Sequence, residues 1–318
     1  MATFGYHASH EQFTPSALLR LVRQAEDAGF TAAMCSDHFH PWGGAQGQSG
    51  HAWSWLGAAM ATTRLSFGVV NAPVGRYHPA VIAQAAATLA QMFPDRFWIA
   101  AGSGEALNES ITGAAWPPKA QRNARLREAV DVMRALWAGD EVSHSGAFEV
   151  QRARLYTRPE TPPPVYVAAL SVETARWGAA WADGLITVGR PPVQLRPIVD
   201  AFREGGGAGK PMLLQVKLSW ATSDAEALDG AHAQWRTNVF APDVTEVLRS
   251  PAQYDAAATF VRAEDMHASV RVSADLQRHA GWLQDDVELG FDRIYLHNVN
   301  TAQAAFIDAF GSLLPSLR

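Results

Sequence analysis

The feature that most constrains this chain is an alternation, repeated eight times, of short apolar runs with longer helical ones. The first run covers residues 3–7. After it, Thr14 can cap a helix, Pro15 suits its first turn and Gly29 can end it. Runs at 31–35, 65–70 and 96–101 read as the next three strands, separated and followed by helices over 53–61, 79–92 and 121–138. In the last of these helices Leu126, Val130, Met133 and Trp137 recur at helical spacing. The run 96–101 is nearly all apolar, as expected of a parallel strand buried on both faces. Strands five to eight fall at 165–169, 184–188, 212–220 and 293–297, with helices at 173–182, 193–203, 225–236, 275–289 and 302–314. Two stretches break the rhythm. Residues 139–164 end in Pro159, Pro162, Pro163 and Pro164 and hold a small hairpin; residues 238–273 form a second excursion. Eight strands alternating with helices give an α/β class chain, a (β/α)8 TIM barrel forming one domain over 1–318. A doubly wound sheet is the alternative. Its dinucleotide fingerprint belongs on the first strand–helix turn, whereas the fragment Gly102-Ser-Gly-Glu105 follows the fourth strand.

The chain of 318 residues is 48% hydrophobic, enough for one large core. Its net charge of −5, without long runs of one sign, implies neither a nucleic-acid nor an anionic-membrane partner. Cys35 is the single cysteine, so no disulfide framework exists and a cytoplasmic setting is expected. The N-terminus does not read as a signal peptide, and no apolar run approaches the ~20 residues of a membrane span. Eleven tryptophans suggest an aromatic pocket, a large buried interface or simply core bulk.

In such barrels chemistry sits where strands end. The second strand ends in Asp37, His38, His40 and Trp42, before a glycine-rich loop at 43–50. The first gives His7, with Glu11 nearby; the third Asn71; the fourth Ser103, Glu105 and Asn108. The sixth gives Thr187 and Arg190, the eighth His297 and Asn298. His38 can act as a general base near neutral pH, and Glu105 can supply or accept a second proton if it is buried. A base and an acid on different strands suit removal of a proton from an alcohol while a hydride leaves its carbon. No side chain accepts a hydride, so an organic cofactor is required. The Gly102-Ser-Gly turn lets backbone approach a flat ring or a phosphate, and Trp42 could shield the reacting face. For His297 a core or second-layer role reads as readily as a catalytic one. The pair His38-x-His40 also resembles the first ligands of metal-dependent hydrolases, but later strands offer no further histidine pair and Pro41 already ends the strand.

Four motifs in order carry a resemblance: Ser36-Asp-His-Phe-His-Pro-Trp42, Arg76-Tyr-His-Pro-Ala-Val-Ile-Ala-Gln84, Gly102-Ser-Gly-Glu-Ala-Leu-Asn-Glu109 and Ala124-Arg-Leu-Arg-Glu-Ala-Val130. With them the chain resembles the luciferase-like flavin and deazaflavin oxidoreductases, nearest the deazaflavin-dependent glucose-6-phosphate dehydrogenases. The match is dense over 1–140 and thinner to the end. It implies a homodimer with the ring of FMN or of the deazaflavin coenzyme (F420) at the barrel's carboxyl face. Asp37, Val70, Asn71, Ser103, Gly104, Glu105, Asn108, Ala168, Ala169 and Ser171 would then meet the cofactor. His38, Glu105 and Trp42 would be catalytic, and Glu11, Trp42, Thr187 and Arg190 would face substrate. A non-proline cis bond at Val70–Asn71 is also implied.

Departures shape the expectation further. Relatives hold a sugar phosphate with several cations, whereas here Arg190 alone offers charge after strand six, and 297–305 has no basic residue. A dianionic phosphate would be poorly held, so a small non-phosphorylated substrate is expected. Where the family often has Ala-Ala-Gly-Gly, this chain has Ala168-Ala-Leu-Ser171, and the Leu170 side chain would obstruct approach to a cofactor phosphate. That, with the start Ala8-Ser-His-Glu-Gln-Phe13 similar to an FMN-using subgroup, tips the expectation slightly to FMN. The leading function is flavin- or deazaflavin-dependent hydride transfer. The alternatives are FMN-dependent monooxygenation with a flavin reductase as partner, a non-catalytic flavin-binding protein, and a metal-dependent hydrolase.

Overall fold

The structure is a computed structural model describing residues 2–317. Eight parallel strands close into a barrel: β1 (Thr3–Ala8), β2 (Ala32–Ser36), β3 (Ser66–Asn71), β4 (Phe97–Ala101), β5 (Val165–Ala168), β6 (Gly184–Val188), β7 (Met212–Ser219) and β8 (Arg293–Asn298). Each pairs with its neighbour in sequence, and β8 pairs back onto β1 to leave no open edge in the ring. Every strand boundary lies within one residue of the expected one. The excursion at 139–164 carries the antiparallel hairpin Val142–Ser145 with Glu149–Ala153. The one at 238–273 holds short helices, Pro242–Thr245 and Pro251–Ala257, and a two-residue strand, Arg271–Val272, that adds to β7. The bond Val70–Asn71 is trans, as are all peptide bonds among the described residues. Asn71 continues the β3 ladder opposite Ala101, so the chain runs on extended where the resemblance implies a cis bond.

Period two sorts the strand residues into two cores. Outward side chains such as Phe67, Val69, Ile99, Val167 and Leu214 pack under the helices with Leu18, Val22 and Phe306. Inward ones plug the barrel. Trp98, Tyr166 and Tyr295 meet there, with Trp98 centroids 5.4 and 5.6 Å from the two tyrosines and its Nε1 donating to Tyr295 Oη at 3.2 Å. Three inward glycines make the room. A Cβ on Gly68 would lie 1.9 Å from the Trp98 ring, on Gly5 2.4 Å from Tyr295, and on Gly184 2.7 Å from Tyr166. Ala32, Met34, Ala100, Ile186 and Leu213 complete this plug. It closes the barrel interior with apolar side chains, so polar strand ends can only gather at the carboxyl face. Most of the tryptophan bulk, including Trp53, Trp55, Trp98 and Trp137, goes to the core rather than to a pocket.

Candidate active site

A cavity of about 1100 Å³ opens at the carboxyl face, and all eight strands or the turns after them contribute to its lining. The turn after β2 sets its geometry. Asp37 N donates to Val70 O at 3.0 Å, which directs the chain out of the sheet. The Asp37 carboxylate accepts from Trp53 Nε1 at 3.0 Å, Asn71 Nδ2 at 2.8 Å and Tyr77 Oη at 3.3 Å, and pairs with Arg76 Nη2 at 3.2 Å. Arg76 also closes on Glu109. Asp37 lines the cavity, but its oxygens are committed to protein partners, so it fixes the turn that presents His38.

His38 stands between two carboxylates. Its Nδ1 is 2.8 Å from Glu11 Oε1 and its Nε2 is 3.7 Å from Glu105 Oε2. Burial alone would lower its pKa; the charges of Glu11 and Glu105 outweigh that and raise it above the ordinary histidine value. Glu11 is buried, also accepts from Ser9 Oγ at 2.9 Å, and is held below the usual carboxylate range because His38 and His7 offset its burial. Glu105 differs: 44% of its side chain is exposed, so the enclosure expected from the sequence is not supplied by the protein itself. Trp42 meets the His38 ring edge-on at 5.2 Å and packs against Tyr254. The glycine-rich loop behind it is tethered rather than free, with Gly44 N donating to Asp255 Oδ2 at 2.9 Å.

One wall of the cavity carries the residues expected at a cofactor: Val70, Asn71, Ser103, Gly104, Ala168, Ala169 and Ser171. Ser171 Oγ caps the helix Val172–Ala179 by accepting from Thr174 N at 3.3 Å. Asn108 Oδ1 accepts from Phe39 N at 2.8 Å and His40 N at 3.1 Å, so it braces the His38 turn from below. The buried polar atoms of lining residues without a hydrogen-bond partner among the described residues include Asn71 Oδ1 and Thr187 Oγ1. Gly104 has φ +81°, and a Cβ there would press on Glu109 at 2.9 Å and Ala72 at 3.4 Å. Bare backbone and an unsatisfied acceptor on one wall fit a planar heterocycle that presents an N–H.

His40 turns away from the cavity, with Nδ1 3.0 Å from Leu107 O. Among the described residues no three His, Cys, Asp or Glu side chains converge as metal ligands. His297 has both nitrogens engaged. Gln12 donates to Val299 O and Gln234 Oε1, so its own Oε1 must accept from His297 Nε2 at 3.1 Å. His297 Nδ1 is then left to accept from Gln215 Nε2 at 3.4 Å. His7 stacks on it with centroids 4.2 Å apart. Burial lowers His7 to about 4 and holds His297 well below the ordinary value, so both rings are neutral at pH 7.

The sequence reading missed two parts of the site. Glu11 lines the cavity and in addition lies 2.8 Å from His38 Nδ1, a pairing the sequence does not show. Lys217 is not singled out by the sequence, which offers Arg190 as the one cation of the turn after the sixth strand; both line the cavity. The signal for Lys217 was present: Leu213, Gln215 and Lys217 alternate along an otherwise apolar strand, which puts all three inside the barrel.

A family model described as luciferase-like monooxygenase matches residues 1–293. The F420-dependent glucose-6-phosphate dehydrogenase of Beutenbergia cavernae is 35% identical, covering 100% of this chain and 98% of that protein. That of Nakamurella multipartita is 35% identical over 99% of this chain and 96% of its own length. Among solved structures, an F420-dependent secondary alcohol dehydrogenase in complex with an F420-acetone adduct superposes with a TM-score of 0.93 at 30% identity, covering 100% of this chain and 99% of that one.

Proposed function

The chain belongs to the luciferase-like monooxygenase family, as a flavin- or deazaflavin-dependent oxidoreductase, and from that premise we propose an F420-dependent dehydrogenase of a small, non-phosphorylated alcohol. One observation carries the reading: His38 is held between a buried carboxylate, Glu11, and a cavity-facing one, Glu105. When bound, the deazaflavin supplies the two-electron acceptor that no side chain can provide. Val70, Asn71, Ser103, Gly104, Ala168 and Ala169 would hold it, with Asn71 Oδ1 accepting from a ring N–H. His38 takes the substrate hydroxyl proton in the oxidative direction, and Glu11 stabilises the imidazolium that results. Glu105 faces the reacting centre on the Nε2 side of His38 as the second group that can exchange a proton there, and Trp42 covers the substrate.

The expected tilt towards FMN is not supported. The relatives named above are F420-dependent, and the steric argument fails because Leu170 stands 49% exposed at the rim, free to turn aside. Nothing in the cavity favours the storage or hydrolase alternatives over the dehydrogenase. The homodimer implied by the resemblance is part of this proposal and is checked by sedimentation. No helix among the described residues is long and apolar enough to cross a membrane.

The test is absorbance of the purified protein titrated with F420 and with FMN, followed by bleaching of the deazaflavin band on adding short secondary alcohols. The expected result is F420 binding and alcohol-dependent bleaching, lost about 10²–10⁴-fold in His38→Ala with cofactor affinity retained. Binding of FMN alone, or unchanged turnover in His38→Ala, would overturn the assignment.

A further inference from the structure

We propose that Lys217 anchors a substrate carboxylate, so that the alcohol handled at His38 is a short hydroxycarboxylate. The inference rests on the dehydrogenase reading for its chemistry, though not for its binding step.

Lys217 projects inward from β7 into the cavity. Protein surrounds it, yet it keeps accessible surface, because the space it faces is the cavity itself. Its ammonium lies 5.2 Å over the Trp235 ring and makes no hydrogen bond or ion pair with any described residue. Of the other cations that line the cavity, Arg76 closes on Asp37 and Glu109, Arg122 on Glu246 and Arg271 on Asp286, whereas Lys119 and Arg278 make no ion pair among the described residues and, unlike Lys217, do not stand on a barrel strand. Arg190, on the turn after β6, is likewise without a hydrogen bond or ion pair, and its charge repels that of Lys217. The neighbours at the cavity floor, Gln215, His7 and His297, are neutral. Enclosure therefore lowers Lys217 to about 8, with Glu105 and Glu11 partly opposing the shift. An enclosed ammonium without a counter-ion is costly unless something brings one.

Position selects the ligand. Lys217 feels the charges of Glu105 and Glu11, the two groups within 4 Å of His38. Lys217 and His38 line the same cavity, so an anion held by the one shares the space of the hydroxyl addressed by the other. A carboxylate is an anion that one ammonium can neutralise, whereas a dianionic phosphate needs paired cations. The reaction balances without the carboxylate taking part. The hydroxyl proton goes to His38, the carbinol hydrogen leaves with two electrons to the deazaflavin, and a ketone forms beside an unchanged carboxylate.

The test uses the full chain, first without cofactor. Tryptophan fluorescence is titrated with 2-hydroxybutyrate, 3-hydroxybutyrate and their methyl esters, which keep the shape and lose the charge. One of the acids is expected to bind about 10- to 100-fold more tightly than its ester. Lys217→Met should abolish that ratio, and Lys217→Arg should retain part of it. Esters binding as well as acids, an acid preference that survives in Lys217→Met, or tighter binding of glucose 6-phosphate than of either acid each overturns the proposal. If Lys217→Met fails to fold, the wild-type ratio and the Lys217→Arg variant decide. A turnover arm with F420 separates the two readings. Acids that bind while neither they nor 2-butanol reduces F420 sink the dehydrogenase and leave the anchor. Oxidation of 2-butanol as efficient as that of the acids sinks the anchor and leaves the dehydrogenase.

Discussion

Glu11→Gln isolates the electrostatic part of the His38 arrangement. The substitution keeps the side chain's shape and removes the charge 2.8 Å from His38 Nδ1. A hydrogen bond to a charged group contributes about 1.5–3 kcal/mol, and about 1.4 kcal/mol corresponds to one pKa unit, so His38 should fall by about 1–2 units. Glu105 cannot substitute, because it lies at 3.7 Å and is screened by solvent over nearly half its side chain. The sign follows from the raised His38 pKa. Oxidation needs neutral imidazole, so kcat/KM for the alcohol rises with pH through that pKa; ketone reduction needs imidazolium and falls over the same range. In Glu11→Gln both limbs should move towards acid together by that amount, and the alkaline plateau for oxidation should drop because the base is weaker. The assay is the pH profile of deazaflavin reduction and reoxidation for both proteins, with cofactor affinity measured in parallel. A lower rate with an unmoved midpoint would show that Glu11 only positions the ring, and the electrostatic account would be wrong.

Three further outcomes are expected. Gly68→Ala puts a methyl group 1.9 Å from Trp98 and should destabilise by about 3 kcal/mol or more in urea, with Trp98→Phe restoring part of the loss. Arg76→Met leaves Asp37 and Glu109 buried without their cation and should cost about 3–5 kcal/mol by the same measurement. Asn71→Leu removes the unpartnered Oδ1 and should weaken deazaflavin binding about tenfold by absorbance titration, whereas equal affinity would place the ring elsewhere.

The barrel was legible because its signal is local and repeated. Each strand is a short apolar run, each helix has a periodic face, and the Thr14–Pro15 start and the end at Gly29 need no distant partner. The interior was not legible in the same way. That Gly5, Gly68 and Gly184 exist to admit Tyr295, Trp98 and Tyr166 depends on which strands are adjacent and in what register, as with Gly68 opposite Trp98. The second excursion resisted reading because its short helices and turns are held by contacts at long range, such as Arg122 and Trp116 Nε1 on Glu246 and Gly44 on Asp255.

The site divides along the same line. His38 and Glu105 could be singled out because each ends a strand in a motif rich in polar residues. What each does depends on neighbours from other strands. Glu11 lies beyond β1, where its sequence context says only that it is near the mouth; its pairing with His38 emerges when β1 and β2 lie side by side. Lys217 shares one face of its strand with Leu213 and Gln215, but what that face looks onto is set only when the barrel closes around it. Closure also decides the charge of its surroundings. His7 and His297 could each compete for an anion if protonated, but burial and the Lys217 ammonium disfavour that state in both, and His7 disfavours it in His297. They remain neutral below the ordinary histidine range, so on this floor a substrate's negative charge is drawn to Lys217 and not to the stacked imidazoles. Protonation of either histidine in mild acid would therefore not be the step that admits an acidic substrate; any change in its affinity between pH 7 and 5 should follow the His38 imidazole, whose pKa is raised, and should be absent in His38→Ala by the same fluorescence titration.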